Sequence, residues 1–334
     1  MFNHNKISRR QFVQAAGSAS ALLSAGMTGQ AQAQSVDTVK ILCGFPAGGT
    51  SDATARRVAT KLTGDYAKAA VVDNKHGAGG RIAIEQLKLA PADGNTLLLT
   101  PYSMLAVYPH IYSKLSYDPM VDLIPVSLGA SFSLALAVGP LVPDTVKTVA
   151  DFVAWCKANP SKAAYGSPAA GSTPHFAGAV LEKITGVEMR HVAYRGSVPG
   201  VTDVVGGQIA SMFTPVGDFL QFQKAGKLRI LATTETKRTA FTPDVQTFTE
   251  AGFPQINWNE WFAFYAPAKT PASVVQALSV SIQKALKQPD VVDSLAGFGL
   301  VAGGSSPEDL GKATRFELNR WAPIVKQIGF TAES

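Results

Sequence analysis

Three glycine- and hydroxyl-rich stretches stand directly ahead of helical patterns, and each has the composition of a loop that receives an anion. The first is Phe45-Pro46-Ala47-Gly48-Gly49-Thr50-Ser51-Asp52. Gly48 and Gly49 allow close backbone approach or positive φ, and Thr50 or Ser51 can cap the following helix. The unpaired N–H groups of a first helical turn, at the positive end of the helix dipole, favour a carboxylate or phosphate at the loop mouth. A tight strand–helix turn with an ordinary cap would use the same residues. Asp52 suits a supporting role, orienting loop amides and complementing the helix start.

The second stretch, Asn74-Lys75-His76-Gly77-Ala78-Gly79-Gly80-Arg81, repeats the pattern. Ala78, Gly79 and Gly80 open the backbone. Arg81 either sets a guanidinium against a carboxylate or pairs with Glu85 one turn on. The third runs from Gly166 to His175, where Ser167, Ser172 and Thr173 offer hydroxyls and backbone amides. His175 falls in a first helical turn and is expected to hold the loop. Tyr194-Arg195-Gly196 adds a fourth edge, with Arg195 facing either the ligand or solvent.

Other chemistries are disfavoured. The adjacent glycines do not form G-x-G-x-x-G, and no Lys-Ser/Thr follows them, so neither a dinucleotide fingerprint nor a P-loop is present. There is no G-x-S-x-G elbow, and no His/Cys/Asp cluster has metal spacing. The expectation is a binding protein with no catalytic residue, no metal and no cofactor.

The elements that would position these loops alternate strand and helix, which implies a largely parallel sheet covered on both faces. Strands are expected at Val39–Cys43, Val71–Val72, Thr96–Thr100, Ala164–Gly166, Met189–Val192, Ile209–Thr214 and Leu228–Thr233. Helices are expected at Ser51–Lys68, Arg81–Leu89, Ser103–Tyr108, Val149–Lys157, Pro174–Thr185, Val198–Val205 and Leu220–Ala225. Ile124–Gly139, two apolar stretches divided by Gly129, reads as a passage between domains, and Ile256–Ala266 as the return. Helices at Pro271–Lys287, Val291–Leu295 and Pro307–Gln327 close the chain. The fold class is therefore α/β, two lobes joined by two crossovers around a central cleft. Lobe 1 is residues 34–130 plus 263–334, and lobe 2 is residues 131–262.

The 334-residue chain begins with Ser8-Arg9-Arg10-Gln11-Phe12-Val13 ahead of a short apolar stretch ending Ala31-Gln32-Ala33. This reads as a twin-arginine signal peptide, residues 1–33, cleaved after Ala33, and places the protein in the periplasm. Removing its three basic residues lowers the net charge from +6 to +3, too little to imply nucleic acid. Cys43 and Cys156, the only cysteines, read as two separate buried thiols.

In order along the chain, these pieces resemble the Bug family, periplasmic solute receptors of tripartite tricarboxylate transporters. The resemblance runs through Phe45-Pro46-Ala47-Gly48-Gly49, Asp52, Ala55-Arg56, Gly77-Ala78-Gly79-Gly80 and Pro91-x-Asp93-Gly94. It continues through Tyr117-Asp118-Pro119, Gly166-Ser167, Gly171-Ser172, His175, His191-Val192, Tyr194-Arg195-Gly196, Gly206-Gly207-Gln208, Trp261 and Ala266-Pro267. It implies a type II-like periplasmic binding-protein fold that closes on a small organic mono- or dicarboxylate, aromatic ones included. It also implies a two-component membrane permease as partner, with the receptor acting as a monomer. A sensory receptor signalling to a membrane kinase would use the same fold. One carboxylate would be held by Phe45–Thr50, Gly77–Arg81 and Ser167/Ser172/Thr173, and the far end would meet Tyr102, Ser103 and Thr214–Asp218. Thr214 stands where relatives often carry Asp, which favours a plain carboxylate over an amino acid.

Overall fold

The computed structural model describes residues 36–332, so the twin-arginine run and the Ala33 cleavage site lie outside the described residues. The first half is built from β1 (Val36–Cys43), α1 (Thr50–Leu62), β2 (Ala67–Asn74), a 3-10 turn at Ala78–Gly80, α2 (Arg81–Lys88) and β3 (Thr96–Pro101). β1 lies parallel between β2 and β3. From Leu97 onward β3 is wholly buried, as suits an apolar strand covered on both faces. The short helices α3 (Ser103–Ala106) and α4 (Tyr108–Ile111) lead into β4 (Leu123–Val138).

The second half follows as α5 (Val149–Ala158), β5 (Ala164–Ser167), α6 (Thr173–Thr185), β6 (Arg190–Ala193), α7 (Ser197–Val205), β7 (Ser211–Pro215), α8 (Gly217–Lys224) and β8 (Arg229–Thr233). β5 runs parallel to β6 and β7. The chain returns through β9 (Asn259–Pro267) and ends with α9 (Ala272–Leu286), α10 (Pro289–Ala296), β10 (Val301–Ala302) and α11 (Pro307–Ile328).

β4 belongs to both halves. Its residues up to Ser133 pair antiparallel with β9, whereas Leu134–Val138 pair antiparallel with β7 and β8. The strand order is β2-β1-β3-β9-β4-β7-β5-β6, with β8 and β10 also on β4. The sheet is thus mixed rather than largely parallel. Each half keeps its parallel βαβ units, and the antiparallel pairs arise where β4 and β9 cross between them in opposite directions. Gly129 does not break the passage into two pieces: β4 is one strand with register shifts on either side of Ser127 and Leu128.

The core is continuous across the junction, with Val39, Leu98, Phe152, Phe213 and Trp321 in one cluster. α11 reaches past the first half, since Trp321 stacks on Phe176 of α6 with ring centroids 5.9 Å apart. Cys43 and Cys156 are buried and unbridged. Burial pushes the Cys43 thiol pKa up and that of Cys156 to about 12.

Candidate anion-binding cleft

Where the two halves meet, residues from both line a cavity that is partly open to solvent. The β1–α1 loop brings Phe45, Pro46, Gly49, Thr50 and Ser51; the opposite half brings Ser172 and Ser197. These positions are the starts of three helices, α1, α6 and α7. Their N-cap residues are Gly49, Ser172 and Gly196, and none makes a side-chain cap hydrogen bond. The first N–H groups of a helix have no partner within it, so each start presents donors and a positive dipole end. Uncapped starts also occur at α9 and α10. The convergence of three on one cavity is what singles this place out.

The walls restrict which atoms can contribute. Pro46, Pro101, Pro168, Pro174 and Pro215 all line the cavity, and proline offers no N–H. Phe132 and Phe262, with ring centroids 4.4 Å apart, supply an apolar surface for a carbon skeleton. Among the described residues no Lys or Arg lines it. An anion placed here would have only dipoles and hydrogen bonds to hold it.

One carboxylate of the protein already takes one of those N–H donors, and a second stands beside the cavity on other donors. Asp218, in the first turn of α8, accepts from the Thr50 N–H at 3.0 Å and from the Thr214 hydroxyl at 3.0 Å, joining the two halves. Burial raises its pKa, against the pull of hydrogen bonds from Ser197, Thr214 and Thr50. Glu260, on β9 and 2% exposed, accepts from the Ser103 N–H at 3.1 Å and from the Thr173 hydroxyl. Burial pushes its carboxyl up to about 7, with Glu317 adding to the rise and the Ser103 and Thr173 hydrogen bonds opposing it.

Of the residues singled out by sequence, Phe45, Gly49, Thr50, Ser103 and Ser172 line the cavity. Thr173 and Asp218 do not line it but hydrogen-bond to lining residues, Glu260 on β9 and Thr50 of the opposite half, and Thr214 bonds to Asp218 within its own half. Ser172 has its hydroxyl directed to the Ala169 carbonyl at 2.7 Å, so its oxygen is not free to donate to an anion. The Ser103 hydroxyl is buried without a geometric hydrogen-bond partner among the described residues.

The remaining residues are placed elsewhere. Ala47 and Gly48 are exposed at the outer turn of the first loop, where the Gly48 N–H donates to Asp52 at 3.0 Å. Asp52 also accepts from Arg56 at 2.9 Å and Asn74 at 2.9 Å. Burial works to raise its pKa, but these hydrogen bonds outweigh it and hold the carboxyl below its ordinary value. Ala78 is exposed, Gly80 packs against Met104 and Phe45, and Gly79 lies between Tyr108 and Ala169: the Tyr108 hydroxyl donates to the Gly79 carbonyl at 2.9 Å, and a Cβ on Gly79 would lie 2.3 Å from that hydroxyl. Arg81 turns to the Ala78 carbonyl and lies over the Tyr112 ring at 4.2 Å, away from Glu85 and from the cavity.

Tyr102 is fully buried, with its hydroxyl on the Asn259 carbonyl at 3.1 Å. Ser167 is buried against the Ala169 carbonyl and His191. His175 accepts from the Gly171 N–H at 3.0 Å and stacks on His191 with centroids 3.8 Å apart, bracing the third loop. Arg195 is exposed. Sequence reasoning passed over Glu260, Ser197 and the Phe132/Phe262 pair. The position of Ser197 just after Gly196 at a helix start was the available signal for one of them. Nothing local marked Glu260. Among the described residues no group of three or more His, Cys, Asp or Glu is placed to hold a metal ion.

The chain is similar along most of its length to known proteins. A family model described as "Tripartite tricarboxylate transporter family receptor" (TctC) matches residues 54–330. Protein BugT of Bordetella pertussis is 32% identical over 292 residues, 87% of this chain and 89% of the relative. A protein encoded in the tcbD-tcbE intergenic region of Pseudomonas sp. strain P51 is 34% identical over 86% of this chain and 85% of its own. Among solved structures, an R. palustris protein with adipate has a TM-score of 0.84 at 31% identity, covering 89% of this chain and 99% of that one. The periplasmic binding protein BugD has a TM-score of 0.83 at 27% identity, covering 89% and 99%. The fold is thus the two-lobed α/β fold of periplasmic binding proteins, and the chain belongs to the TctC family of tripartite tricarboxylate transporter receptors.

Proposed function

We propose that this protein captures a small organic carboxylate between its two lobes, residues 34–130 plus 263–334 and residues 131–262, and presents it as a monomer to a two-component membrane permease. The observation that carries this reading is the convergence of three uncapped helix starts on a cavity that no Lys or Arg among the described residues lines. Such a site neutralises one anionic group by directed N–H donors and rests the carbon skeleton against the apolar wall made by Phe132 and Phe262. Two related structures support the ligand class: one was solved with adipate, and MatC of Rhodopseudomonas palustris, 25% identical with a TM-score of 0.81, with bound malate. The periplasm is the compartment of the family. Export by the twin-arginine route, with cleavage after Ala33, follows from Arg9-Arg10 and Ala31-Gln32-Ala33. An intact mass beginning at Gln34 would confirm it, and a cytoplasmic, unprocessed chain would refute it.

Thermal unfolding in the presence of adipate, malate, succinate and benzoate tests the binding. A ligand at one hundred times its Kd stabilises the native state by about 2.7 kcal/mol, so at least one member of the panel is expected to raise the midpoint by several degrees. Ser103→Ala, which removes a buried, unpartnered cavity hydroxyl, is expected to weaken that ligand by about 1 kcal/mol, roughly fivefold in Kd. Unfolding curves that ignore every carboxylate would refute the reading.

A further inference from the structure

Glu260 lines the cavity, and its carboxylate when ionised repels an anion instead of holding one. Each of its oxygens accepts one hydrogen bond, from the Ser103 N–H and from the Thr173 hydroxyl, and a carboxylate oxygen has room for a second. Both protein groups point donors at it, so the surroundings are arranged for an acceptor. Among the described residues no Lys or Arg lines the cavity to balance the charge. The charged and titratable groups around it are Glu317 and, through the buried Tyr102, Arg320, which is itself engaged by Glu317 at 3.3 Å. Tyr108 also lies within its field. A buried acid without a cationic partner is costly unless a cation arrives or a proton is kept.

The geometry points to an ammonium-bearing carboxylate as the ligand: we propose that the three helix starts hold its carboxylate while Glu260, beside the Ser103 hydroxyl, receives its ammonium group. This rests on the carboxylate-capture reading above and narrows it. It also reverses the expectation drawn from the uncharged Thr214, because the acid that serves the amino group stands on β9 instead of β7. Thr214 itself is committed to Asp218.

Calorimetric titration with matched pairs tests it: aspartate against succinate, 4-aminobutanoate against butanoate, and phenylalanine against 3-phenylpropanoate. For at least one skeleton the amino compound is expected to bind more than tenfold tighter than its partner. In Glu260→Gln that ratio is expected to fall below about twofold. A second measurement does not depend on the variant. At pH 7, titration of the wild-type protein in buffers of different ionisation enthalpy should show protons released on binding the amino compound, because pairing with ammonium ionises Glu260. Tighter binding of the amine-free member, with proton uptake, would mean that Glu260 donates as an acid to a second carboxylate and would overturn the ammonium assignment alone. A ratio unchanged in Glu260→Gln would also overturn it alone. Failure of all six compounds to bind would overturn it together with the capture reading on which it rests.

Discussion

Glu260→Gln is expected to stabilise the ligand-free protein by about 3 kcal/mol at pH 8 and by close to nothing at pH 4. The burial of Glu260 lifts its carboxyl from an ordinary 4.5 to about 7, and each unit corresponds to about 1.4 kcal/mol. The sign follows from proton counting. Between pH 4.5 and 7 the unfolded chain has released this proton while the native protein still holds it, so native stability falls as pH rises through that window. Glutamine has no proton to hold. It can accept from Ser103 through its carbonyl and donate to the Thr173 oxygen through its amide. The variant therefore escapes the fall.

The wild-type curve alone would not display this effect. Burial depresses His175 to about 3 and His191 to about 4, with His191 adding to the depression of His175. Stability from a histidine kept neutral is present above pH 6.5 and lost as pH drops, which opposes the Glu260 contribution over the same range. The difference between the two proteins cancels the histidines. Urea unfolding at pH 4, 6 and 8 measures it, and a difference that does not change with pH would remove Glu260 as the titrating group. An acid retained at such a cost belongs with the local inconsistencies that proteins keep at functional sites.

The rhythm of the fold was legible because its elements are short, apolar and punctuated. Thr96–Pro101, Thr173–Thr185 and Ser197–Val205 fall within a residue or two of their expected limits. β2 was seen only as Val71–Val72, since Ala67-Lys68-Ala69-Ala70 favours helix locally; parallel pairing with β1 overrides that preference. The helix before it stops at Leu62, ahead of Gly64 at φ +82°.

The lining of the candidate cavity was legible as far as loop chemistry reaches. The first and third glycine loops do open on the cavity. The second has the same composition, yet its backbone is used to pass Tyr108, and Arg81 is spent on Tyr112. Glu260 lay hidden in Asn259-Glu260-Trp261 because alternation in a strand assigns a glutamate to solvent. Only the crossing of β9 between the halves turns that face inward. Which carboxylate ends up beneath Ser103 is a property of the sheet order, and no local window contains it.

Gly217→Ala is expected to be the most damaging small substitution at the cleft. The residue opens α8, and its φ needs no glycine; the constraint is space. A Cβ there would lie 1.7 Å from the Phe298 carbonyl oxygen, 2.6 Å from the Phe298 carbonyl carbon and 3.0 Å from Cγ2 of Thr50. Backbone on the Phe298 side cannot swing aside as a flexible side-chain end would, so the start of α8 must shift. Overpacking of this kind costs about 3 kcal/mol. The displaced turn carries Asp218, which takes the Thr50 N–H from across the cleft, so affinity should suffer as well as stability. A loss of more than tenfold in the binding of whichever carboxylate raises the melting midpoint is expected. Gly303→Ala is the control: its Cβ would meet only Cδ2 of Leu128, at 3.5 Å, and both stability and affinity should stay near wild type. If Gly217→Ala loses stability yet binds normally, then the contact between Asp218 and Thr50 does not set the geometry of the anion site. In that event the donors that matter lie at the starts of α6 and α7, in the half that carries Ser172 and Ser197.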